Sequence, residues 1–459
     1  MFIRTIEIGP SDEMAVPQLL AERRERGLPP ALQQVLKIWR KLRSGSLTAK
    51  GTRDSDITKT VQAIIAGVFL NGDDELLRLT EKFDGTVLLA PKSIRVESER
   101  MEAACAALDP KFEALLDRAI GNIRRYQQRI LVKAPPPLRR GGRRLGIKYT
   151  PMDRVGVYVP GGRAFYPSTV LMTVVPAQVA GVREIALASP PTSNGDVHPL
   201  VLALAKKLGV TDVYRVGGAQ AIAAMALGTA SVRPVQKIVG PGNAFVAEAK
   251  RQLFGKVGID SIAGPSEVLI IADNTASPAC VAADMLAQAE HDPGSAILLT
   301  TSKKLARGVA VELEKQTSTL ERAAAVRAAI REYSRIIMAK SIETICDLAN
   351  LFAPEHLQII TADNQAVLGK IRHAGAIFLG PHTPVPVGDY YAGPSHVLPT
   401  GGTARFFGPL SCNDFLKASS VVEYDEASLA ADGPDIIDFA TREGLTAHAN
   451  AVRIRQKKP

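Results

Sequence analysis

The sequence predicts an α/β protein built on two parallel β-sheets. From residue 154 onward, short runs of apolar and β-branched residues alternate with segments of helical periodicity, which is the pattern of βαβ units. Strands of this kind are buried on both faces, so they form continuous apolar runs. We predict strands at 155–159, 184–188, 212–216, 237–239, 268–272, 296–300, 335–338, 357–360 and 376–379. They suffice for two sheets, and we expect the chain to pass from one to the other near 263–266.

The segment before residue 150 is predicted to be mainly helical. Apolar residues recur at three- and four-residue spacing over 30–42, 58–83 and 98–130, the last with a break near Pro110. Residues 44–55 are polar and are expected to form an exposed loop. Because 459 residues are too many for one ordinary hydrophobic core, two or more domains are expected.

The formal net charge of +10 raises the question of nucleic-acid binding. Nine Lys or Arg residues and no acidic residue lie in the segment 124–148, which also contains three consecutive prolines. A site for single-stranded nucleic acid needs aromatic side chains between the charges, and only Tyr126 is present there. We therefore predict a basic connector, or a rim that attracts anionic phosphate groups, and no nucleic-acid partner.

Cysteine usage and apolar runs bear on the compartment. Cys105, Cys280, Cys346 and Cys412 include no C-x-x-C pair, which argues against a disulfide framework or a thiolate metal site. The N-terminal run MFIRTIEIGPSDEM lacks the apolar region of a signal peptide. No apolar run reaches the roughly 18 residues of a membrane span. We expect a cytoplasmic protein without a membrane partner.

Three glycine-containing turns follow predicted strands: 160–162 (PGG), 217–220 (GGAQ) and 240–243 (GPGN). Glycines at such positions let the backbone approach a phosphate or ribose ahead of a helix N-terminus. None completes the G-x-G-x-x-G fingerprint, because the run GPGNAF ends in Phe245. Ordinary tight-turn geometry explains any one of these turns. Their grouping in one predicted domain favours a dinucleotide cofactor.

The stretch 388–400 (GDYYAGPSHVLPT) contains both a carboxylate and an imidazole, Asp389 and His396. Its glycines and prolines are incompatible with a long helix or a central strand, so it is predicted to be a shaped loop. Loops on a rigid scaffold often carry chemistry. The two residues could bind a metal, act as acid and base, or stabilise an ordinary turn.

Gln288 and His291 are the second group of interest. They lie three residues apart near the end of a predicted helix, which places their side chains on one face. A histidine that simply ends the helix is the alternative. With Asp389 and His448 they form a set of nitrogen and oxygen donors that suits zinc with open positions, or manganese or cobalt.

Glu355 and His356 are adjacent, directly before a predicted strand. A carboxylate beside an imidazole suits proton transfer near neutral pH, with the imidazole as the natural base. The alternative is an ordinary surface Glu-His pair, which is common.

These stretches resemble the histidinol dehydrogenase family, the enzymes of the last steps of histidine synthesis. The matching runs occur in the family's order and cover most of the chain after residue 150: RVGVYVPGGRAFYPSTVLM, VGGAQAIAAMALGT, KIVGPGNAFVAEAKRQ, DSIAGPSEVLIIAD, LAQAEHDP, APEHL, GDYYAGPSHVLPTGGTARF and EGLTAHANAVRIR. The segment before residue 150 resembles the family only loosely, through runs such as LLRLTEKFDG.

The resemblance implies roles for four groups of residues. The metal group would bind one zinc ion and consists of Gln288, His291, Asp389 and His448. The catalytic group would transfer protons and consists of Glu355 and His356. The substrate group consists of Ser266, Gln288, His291, His356, Asp389, His396, Glu443 and His448. The cofactor group would contact NAD and consists of Tyr158, Gln220 and Asn243.

The resemblance also implies two incomplete Rossmann-like parallel-sheet domains with small helical terminal segments, assembled as an intertwined homodimer. The expected parts are an N-terminal helical arm (1–45), a first α/β domain with the metal and catalytic residues (46–157 with 267–409), an NAD-binding domain (158–266) and a tail domain (410–459). After residue 415 a polar, acidic segment precedes the run EGLTAHANAV, and this part of the chain holds too little apolar area to be stable alone. By resemblance it packs on the other subunit, where Glu443 and His448 complete the site; a tail folded back on its own chain is the alternative.

The implied reaction is the NAD-dependent four-electron oxidation of L-histidinol to L-histidine through bound histidinaldehyde. Zinc would hold the amino nitrogen and alcohol oxygen of the substrate. His356 would take the hydroxyl proton as hydride leaves, and would act again after Glu355 activates water. Chelation gives a reason why the aldehyde is not released.

Some positions depart from the family pattern. Ser395 and Thr173 stand where asparagine is expected, the run 382–387 lacks an acidic residue, and 124–129 lacks a Phe-His pair. An NAD-dependent dehydrogenase of another small polar alcohol, such as sulfopropanediol, therefore stays an alternative. A catalytically silent binding protein of the same fold is a second one, against which the complete ligand set and the Glu-His pair argue.

Overall fold

The computed structural model describes residues 2–22, 28–43, 54–161, 166–291 and 294–456. Its strands are β1 (Arg4–Glu7), β2 (Leu138–Arg140), β3 (Arg143–Pro151), β4 (Arg154–Tyr158), β5 (Glu184–Ser189), β6 (Asp212–Arg215), β7 (Lys237–Val239), β8 (Gly258–Ile259), β9 (Ser266–Ala272), β10 (Gly294–Thr300), β11 (Arg335–Met338), β12 (His356–Ile360), β13 (Ala376–Leu379) and β14 (Leu416–Tyr424). Every predicted strand is present to within two residues at either end. The short strands β1 and β8 and the ribbon β2, β3 and β14 were not predicted.

The helices, in chain order, are α1 (Pro10–Glu13), α2 (Val16–Glu22), α3 (Pro30–Arg43), α4 (Asp54–Asn71), α5 (Asp73–Asp84), α6 (Ser98–Ala106), α7 (Pro110–Ile130), α8 (Pro167–Ala180), α9 (Pro199–Lys207), α10 (Gly218–Leu227), α11 (Ala244–Leu253), α12 (Pro278–Ala289), α13 (Lys303–Thr317), α14 (Ala323–Tyr333), α15 (Ile342–Phe352), α16 (Asn364–Leu368), α17 (Val385–Val387), α18 (Glu426–Arg442) and α19 (Thr446–Gln456). The helix predicted at 58–83 is two helices, because the chain turns at Gly72. The predicted loop at 44–55 lies outside the described residues up to position 53. No described helix is long and apolar enough to cross a bilayer.

Two parallel sheets organise the chain. The five-stranded sheet has the order β6-β5-β4-β7-β8, and the six-stranded sheet has the order β1-β11-β10-β9-β12-β13. Numbered along the chain, β4–β8 and β9–β13 each lie in the order 3-2-1-4-5, which is the Rossmann order without its sixth strand. The N-terminal strand β1 is added beside β11 in parallel. The predicted α/β class with two parallel sheets is confirmed.

Apolar residues cover both faces of each sheet. Strands β4, β10 and β12 are buried at every position, as expected of central parallel strands. Helices α4 and α5 pack on one face of the five-stranded sheet, and α6 and α7 pack on the other. The sequence prediction had grouped 46–157 with the six-stranded sheet, whereas the helices of this range bury their apolar faces against the five-stranded one. We propose that helices α4–α7 belong with that sheet.

The basic segment 124–148 is not the connector that we predicted. Helix α7 continues to Ile130, and β2 and β3 then form an antiparallel ribbon. Strand β14 of the C-terminal tail pairs antiparallel with β3 along its whole length, from Leu416 opposite Pro151 to Tyr424 opposite Arg143. Arg143 pairs with Asp432, so part of the basic charge is balanced by the acidic tail. The two charge runs were complementary, which neither run reveals by itself.

We name residues 138–151 and 416–456 the tail unit. Its helices α18 and α19 pack against each other. It contributes few buried residues and leaves many large apolar side chains exposed: Leu138, Leu145, Val421, Val422, Tyr424, Ile436, Phe439, Leu445 and Ile454. Exposed apolar surface of this extent is typical of protein–protein interaction sites.

Candidate active site

Most of the predicted catalytic and substrate residues lie at the N-terminal edge of the six-stranded sheet; Glu443 and His448 do not. Ser266 is the first residue of β9, and His356 is the first residue of β12. The two strands are paired, with His356 opposite Val268. Ligands of open α/β sheets usually bind at the opposite, carboxyl edge. The position of this site is therefore set by the Glu-His pair and its partners, and topology alone would have placed it elsewhere.

Glu355 is a buried carboxylate whose hydrogen bonds tie β12 to β9. Its Oε2 atom accepts from the Ser266 hydroxyl at 2.7 Å and from the Glu267 backbone N–H at 2.8 Å. The Gln288 side-chain amide in turn donates to Ser266 Oγ at 2.6 Å, which leaves the amide oxygen free for another partner. Burial raises the pKa of Glu355, although the charge of His356 and these bonds oppose that change.

His356 lies beside two carboxylates. Its Nδ1 atom is 3.1 Å from the Glu267 carbonyl oxygen, which can only accept, so in the neutral ring Nδ1 carries the proton and Nε2 has the lone pair. Nε2 lies 3.5 Å from Asp389 Oδ1. Burial lowers the pKa of His356, but the charges of Glu355 and Asp389 outweigh burial and raise the pKa to about 9. The imidazole is thus held in one orientation by groups on three segments.

The loop 388–400 carries Asp389 and His396 into the same cluster. Residues Gly388–Ala392 form a single π-helical turn, a feature that often marks functional positions. The prediction that this stretch is neither a long helix nor a strand is confirmed. The Asp389 carbonyl accepts from His396 Nδ1 at 3.0 Å, and the Thr169 hydroxyl lies 3.3 Å from Nε2. Thr169 belongs to α8, so the loop contacts the helix that follows β4.

Charge interactions show how closely the predicted histidines and Asp389 are grouped. Burial lowers the pKa of His396, Asp389 opposes this, and the charges of His356 and His291 add to the lowering. His291 lies directly after α12, the helix that carries Gln288, and before β10. His291 and Asp389 are thus both near enough to His396 to influence its pKa, and Gln288 reaches the neighbouring Glu355 through Ser266.

Glu443 and His448 are not brought to this place within the chain. Both side chains are exposed, and no hydrogen bond or ion pair joins either of them to another described residue. They lie at the end of α18 and in α19 of the tail unit. Accordingly, no group of three or more His, Cys, Asp or Glu side chains in the described ranges could hold a metal ion. His448 therefore lies apart from the other residues of the predicted ligand set in this chain.

The donors present fit a divalent cation with open positions. Gln288 offers an amide oxygen, His291 a ring nitrogen and Asp389 a carboxylate, which is a nitrogen and oxygen set of the kind that zinc accepts. His356 Nε2, beside this set, is buried and has no hydrogen-bond partner among the described residues. A buried polar atom without a partner is uncommon, and a substrate held at the cation would provide one.

The predicted cofactor residues lie at the carboxyl edge of the five-stranded sheet. Tyr158 ends β4, and its hydroxyl accepts from the Gly218 N–H at 3.0 Å. Gln220 follows in the first turn of α10 and is buried. The Asn243 side chain caps α11 by accepting from Phe245 and Val246. Two helix N-termini and their glycine turns therefore converge at Tyr158, which is the arrangement that a dinucleotide phosphate favours.

Lys250 and Asp260 hold the turn at 240–243 in place, and the sequence did not point to them. Lys250 is fully buried; its ammonium donates to the Gly240 carbonyl at 2.7 Å and pairs with Asp260 at 2.5 Å. The other Asp260 oxygen accepts from the Gly240 N–H at 2.7 Å. Gly240 has φ +113°, and a Cβ there would lie 2.1 Å from the Tyr158 carbonyl oxygen. Only glycine permits this contact between the turn and β4.

Two further acidic residues were missed. Glu267 follows Ser266 and is fully buried, and its Oε1 has no partner among the described residues. Asp84 ends α5; burial raises its pKa to about 6, and its charge adds to burial in raising the pKa of Tyr158 to about 12. Asp84 lies in the FDG run of the loosely matching segment, whereas Glu267 sits in an apolar strand pattern that gives no sign of its role.

Ala353, which precedes Pro354 and the Glu355-His356 pair, has a strained backbone conformation. Ala353 has φ +48° and is the one residue other than glycine with positive φ in the described ranges. It ends α15, where its N–H donates to the Ala349 carbonyl at 2.9 Å. A left-handed conformation costs a β-carbon residue on the order of 1 kcal/mol or more. The strain turns the chain sharply from α15 into Glu355 and His356.

Two of the departures from the family pattern, Ser395 and Thr173, form hydrogen bonds with the backbone. The Ser395 hydroxyl donates to the Met172 carbonyl at 3.0 Å and accepts from the Val397 N–H at 3.1 Å. The Thr173 hydroxyl donates to the Thr169 carbonyl within α8 at 2.5 Å. Both side chains are buried and neither points to a changed substrate.

Comparison with known proteins gives a consistent result. A family model described as histidinol dehydrogenase matches residues 47–456. A histidinol dehydrogenase of Geobacillus kaustophilus is 51% identical over 401 residues, which is 87% of this chain and 94% of that protein. One of Bacillus subtilis is 48% identical over 87% of this chain and 93% of that protein. The crystal structure of histidinol dehydrogenase from Elizabethkingia anophelis is similar at a TM-score of 0.86 with 33% identity, and covers 99% of this chain and 98% of that chain.

The buried acid Glu267 makes stability depend on pH. Burial, and then the charge of Glu355, raise its pKa from 4.5 to about 8. Because the folded state holds this proton more tightly than the unfolded state, its contribution is fully present below pH 4.5 and is lost as pH rises through about 8. Glu267→Gln, which cannot ionise, should lose less stability than wild type between pH 5 and pH 8, as measured by urea-unfolding midpoints.

The exposed Glu332→Gln serves as the matched control and should leave the pH dependence unchanged. An equal loss of stability in Glu267→Gln and wild type over this interval would show that Glu267 is ionised in the folded protein at pH 5.

Proposed function

Since the chain belongs to the histidinol dehydrogenase family, we propose that it oxidises L-histidinol to L-histidine with two NAD and one zinc per site. It is an oxidoreductase of histidine biosynthesis. The main support for the proposal is a series of side-chain hydrogen bonds that runs from Gln288 through Ser266 to Glu355. His356 lies next to this series, between the carboxylates of Glu355 and Asp389. This arrangement joins a buried acid-base pair to the metal-type donors Gln288, which is buried, and Asp389, which is partly exposed.

Gln288, His291 and Asp389 of one chain, with His448, would hold the zinc. When bound, the ion would supply a Lewis acid that fixes the substrate's amino nitrogen and alcohol oxygen and lowers the pKa of the alcohol. A cation at Asp389 also offsets one of the charges that raise the pKa of His356. The imidazole pKa then moves toward the neutral range in which a general base works.

His356 is the general base of the first oxidation. With Nδ1 bonded to the Glu267 carbonyl, Nε2 is the atom that accepts the hydroxyl proton. NAD, when bound, would supply the hydride acceptor. The second oxidation repeats this step on the aldehyde hydrate. In sum, histidinol, water and two NAD+ yield histidine, two NADH and three protons.

Glu355 activates the water that converts the aldehyde into its hydrate. Its raised pKa makes the carboxylate a stronger base than an exposed glutamate. Ser266 holds the carboxylate through its hydroxyl, and the Glu267 N–H fixes the same oxygen atom, so the free oxygen is the one that meets the water.

NAD would bind across the edge formed by Tyr158, Gln220 and Asn243. Helices α10 and α11 begin there, and their N-terminal N–H groups suit the pyrophosphate. Contacts of Thr169 and Met172 in α8 with the loop 388–400 bring this edge close to His396. Hydride transfer requires such closeness between nicotinamide and substrate.

The active form would be a homodimer in which the tail unit of one chain completes the site of the other. Two observations support this arrangement. Glu443 and His448 are exposed and remote from their expected partners within the chain, and the tail unit exposes a broad set of apolar side chains. Strand β14 is paired with β3 of its own chain, so the ribbon and tail would cross together as one unit.

A substrate panel tests the proposed function. Purified protein with zinc and NAD should form two NADH per L-histidinol and one per L-histidinal, followed by absorbance of the reduced cofactor. Sulfopropanediol and other small alcohols should react at least about 100-fold less efficiently, because a site built to bond specific polar groups rejects substrates lacking them. Efficient oxidation of sulfopropanediol without histidinol turnover would establish the alternative.

Variants separate the base from the metal ligands. His356→Asn should reduce turnover by about 10²–10⁴-fold, the scale of a positioned general base, with unchanged zinc content. His291→Ala should lose zinc and activity together. Elemental analysis beside steady-state kinetics measures both. A full zinc complement in His291→Ala would remove that residue from the ligand set.

Glu355→Gln refines the same experiment. It should slow mainly the oxidation of added histidinal, the half-reaction that needs water, and spare the first hydride transfer in a single turnover. Wild-type oxidation of histidinal by Glu355→Gln would show that another group activates the water.

Mixed dimers test the shared site. His356→Ala and His448→Ala should each be inactive. If tail units cross, unfolding, mixing and refolding the two with zinc gives dimers in which one site carries both defects and the other carries neither, so activity returns. If tails stay with their own chains, every site keeps one defect. The two variants carry different tags so that mixed dimers can be purified, and the activity of these dimers is measured. Inactive mixed dimers would contradict the exchange of tail units between subunits.

A further inference from the structure

A cavity of about 530 Å³ lies at the end of the five-stranded sheet opposite the proposed cofactor edge. It is found where β4, β5 and β6 begin, at Arg154, Glu184 and Asp212. Its size falls within the range of about 300–1,000 Å³ typical of small-molecule sites. Six of its eleven lining residues are charged, whereas such sites are usually apolar, so the lining favours a charged ligand.

Arginine dominates this lining. Four arginines face two carboxylates, which leaves a surplus of two positive charges: Arg95, Arg154, Arg183 and Arg233 against Glu184 and Asp212. No lysine lines the cavity. Guanidinium groups present paired N–H donors that match phosphate oxygens, which a lysine ammonium does not.

The carboxylates already hold three of the arginines in place. Asp212 pairs with Arg154 and Arg95, each at 2.7 Å. Glu184 pairs with Arg154 at 2.9 Å and with Arg233 at 2.5 Å. Arg154 is largely buried, and its Nε has no partner in the described part of the chain. The two acids therefore act as a scaffold that orients cationic groups around the cavity.

Arg183 is the one of these four arginines that pairs with neither carboxylate. It stands at the cavity directly before Glu184, is exposed, and makes no hydrogen bond or ion pair with any described residue. Its paired donors are available to a ligand at no cost in existing contacts. Arg95 and Arg233 are more than half exposed and can turn unused donors to the same ligand.

We propose that this cavity binds a compact phosphorylated anion of two or more negative charges, gripped by Arg183 with Arg95 and Arg233. The site is separate from the proposed cofactor edge. Arg154 and Tyr158 are the first and last residues of β4, and four steps of about 3.3 Å place them about 13 Å apart. A ligand here thus contacts the same central strand that ends at the cofactor turns.

Calorimetric titration of the zinc-loaded protein with inorganic pyrophosphate tests the proposal. The expected result is saturable binding of one pyrophosphate per chain, weakened by added salt because the contacts are ionic. Saturating NAD, which would occupy the cofactor edge, should leave the binding unchanged. Zinc content measured before and after the titration shows whether the probe removes metal.

Variants assign the binding to the cavity. Arg183→Gln should weaken pyrophosphate binding by about 10- to 100-fold, the value of hydrogen bonds to a charged group, and Arg183→Lys should restore only part of it. Arg307→Gln, on the exposed face of α13, is the matched control and should change affinity by less than about twofold. Because Arg183 is exposed and unpaired in the described chain, its loss should not disturb folding.

Three results would overturn the proposal. They are the absence of saturable binding, displacement of pyrophosphate by NAD, and equal weakening by Arg183→Gln and Arg307→Gln. The last would mean that the basic surface as a whole attracts the anion.

Discussion

The arrangement of the site depends on the hydrogen bonds that the buried carboxylate of Glu355 accepts from the neighbouring strand. Removing a carboxylate from water is costly unless hydrogen bonds replace the lost hydration. Ser266 and the Glu267 N–H supply those bonds from the neighbouring strand, and they can do so only because β12 pairs in parallel with β9 from His356 onward. The same pairing fixes His356 against the Glu267 carbonyl. The pairing of β12 with β9 therefore fixes both the positions of Glu355 and His356 and the tautomer of His356.

The two sheets have the same strand order, and we propose that they are used from opposite edges. The five-stranded sheet offers its carboxyl edge, where glycine turns and helix N-termini suit a dinucleotide. The six-stranded sheet offers its N-terminal edge, where strands begin with Ser266 and His356. The loop 388–400 joins the two, because Ser395 and His396 contact α8 while Asp389 lies against His356. In our proposal, substrate and cofactor would meet across this loop although each binds at a different sheet.

In the tail unit, charged residues and exposed apolar residues have different roles. Basic residues of β3 pair with acids of the tail, as Arg143 does with Asp432, and these contacts hold β14 on its own ribbon. Its apolar side chains remain exposed and have no core to enter within the chain. Local ion pairs thus shape the unit, while its hydrophobic surface is left for a partner, which agrees with our proposal that a second subunit receives it.

The sequence by itself determined the parallel-sheet class, the strand positions and the residues fit for chemistry. Those are local properties, since buried strands need continuous apolar runs, and the residue types able to transfer protons or bind a metal can be read directly from the sequence. Only the tertiary structure decided that β2, β3 and β14 form a ribbon, that α4–α7 cover the five-stranded sheet, and that Glu267, Lys250 and Asp260 support the site. Each of these depends on contacts between segments far apart in the chain, and such contacts leave no periodic pattern in either segment.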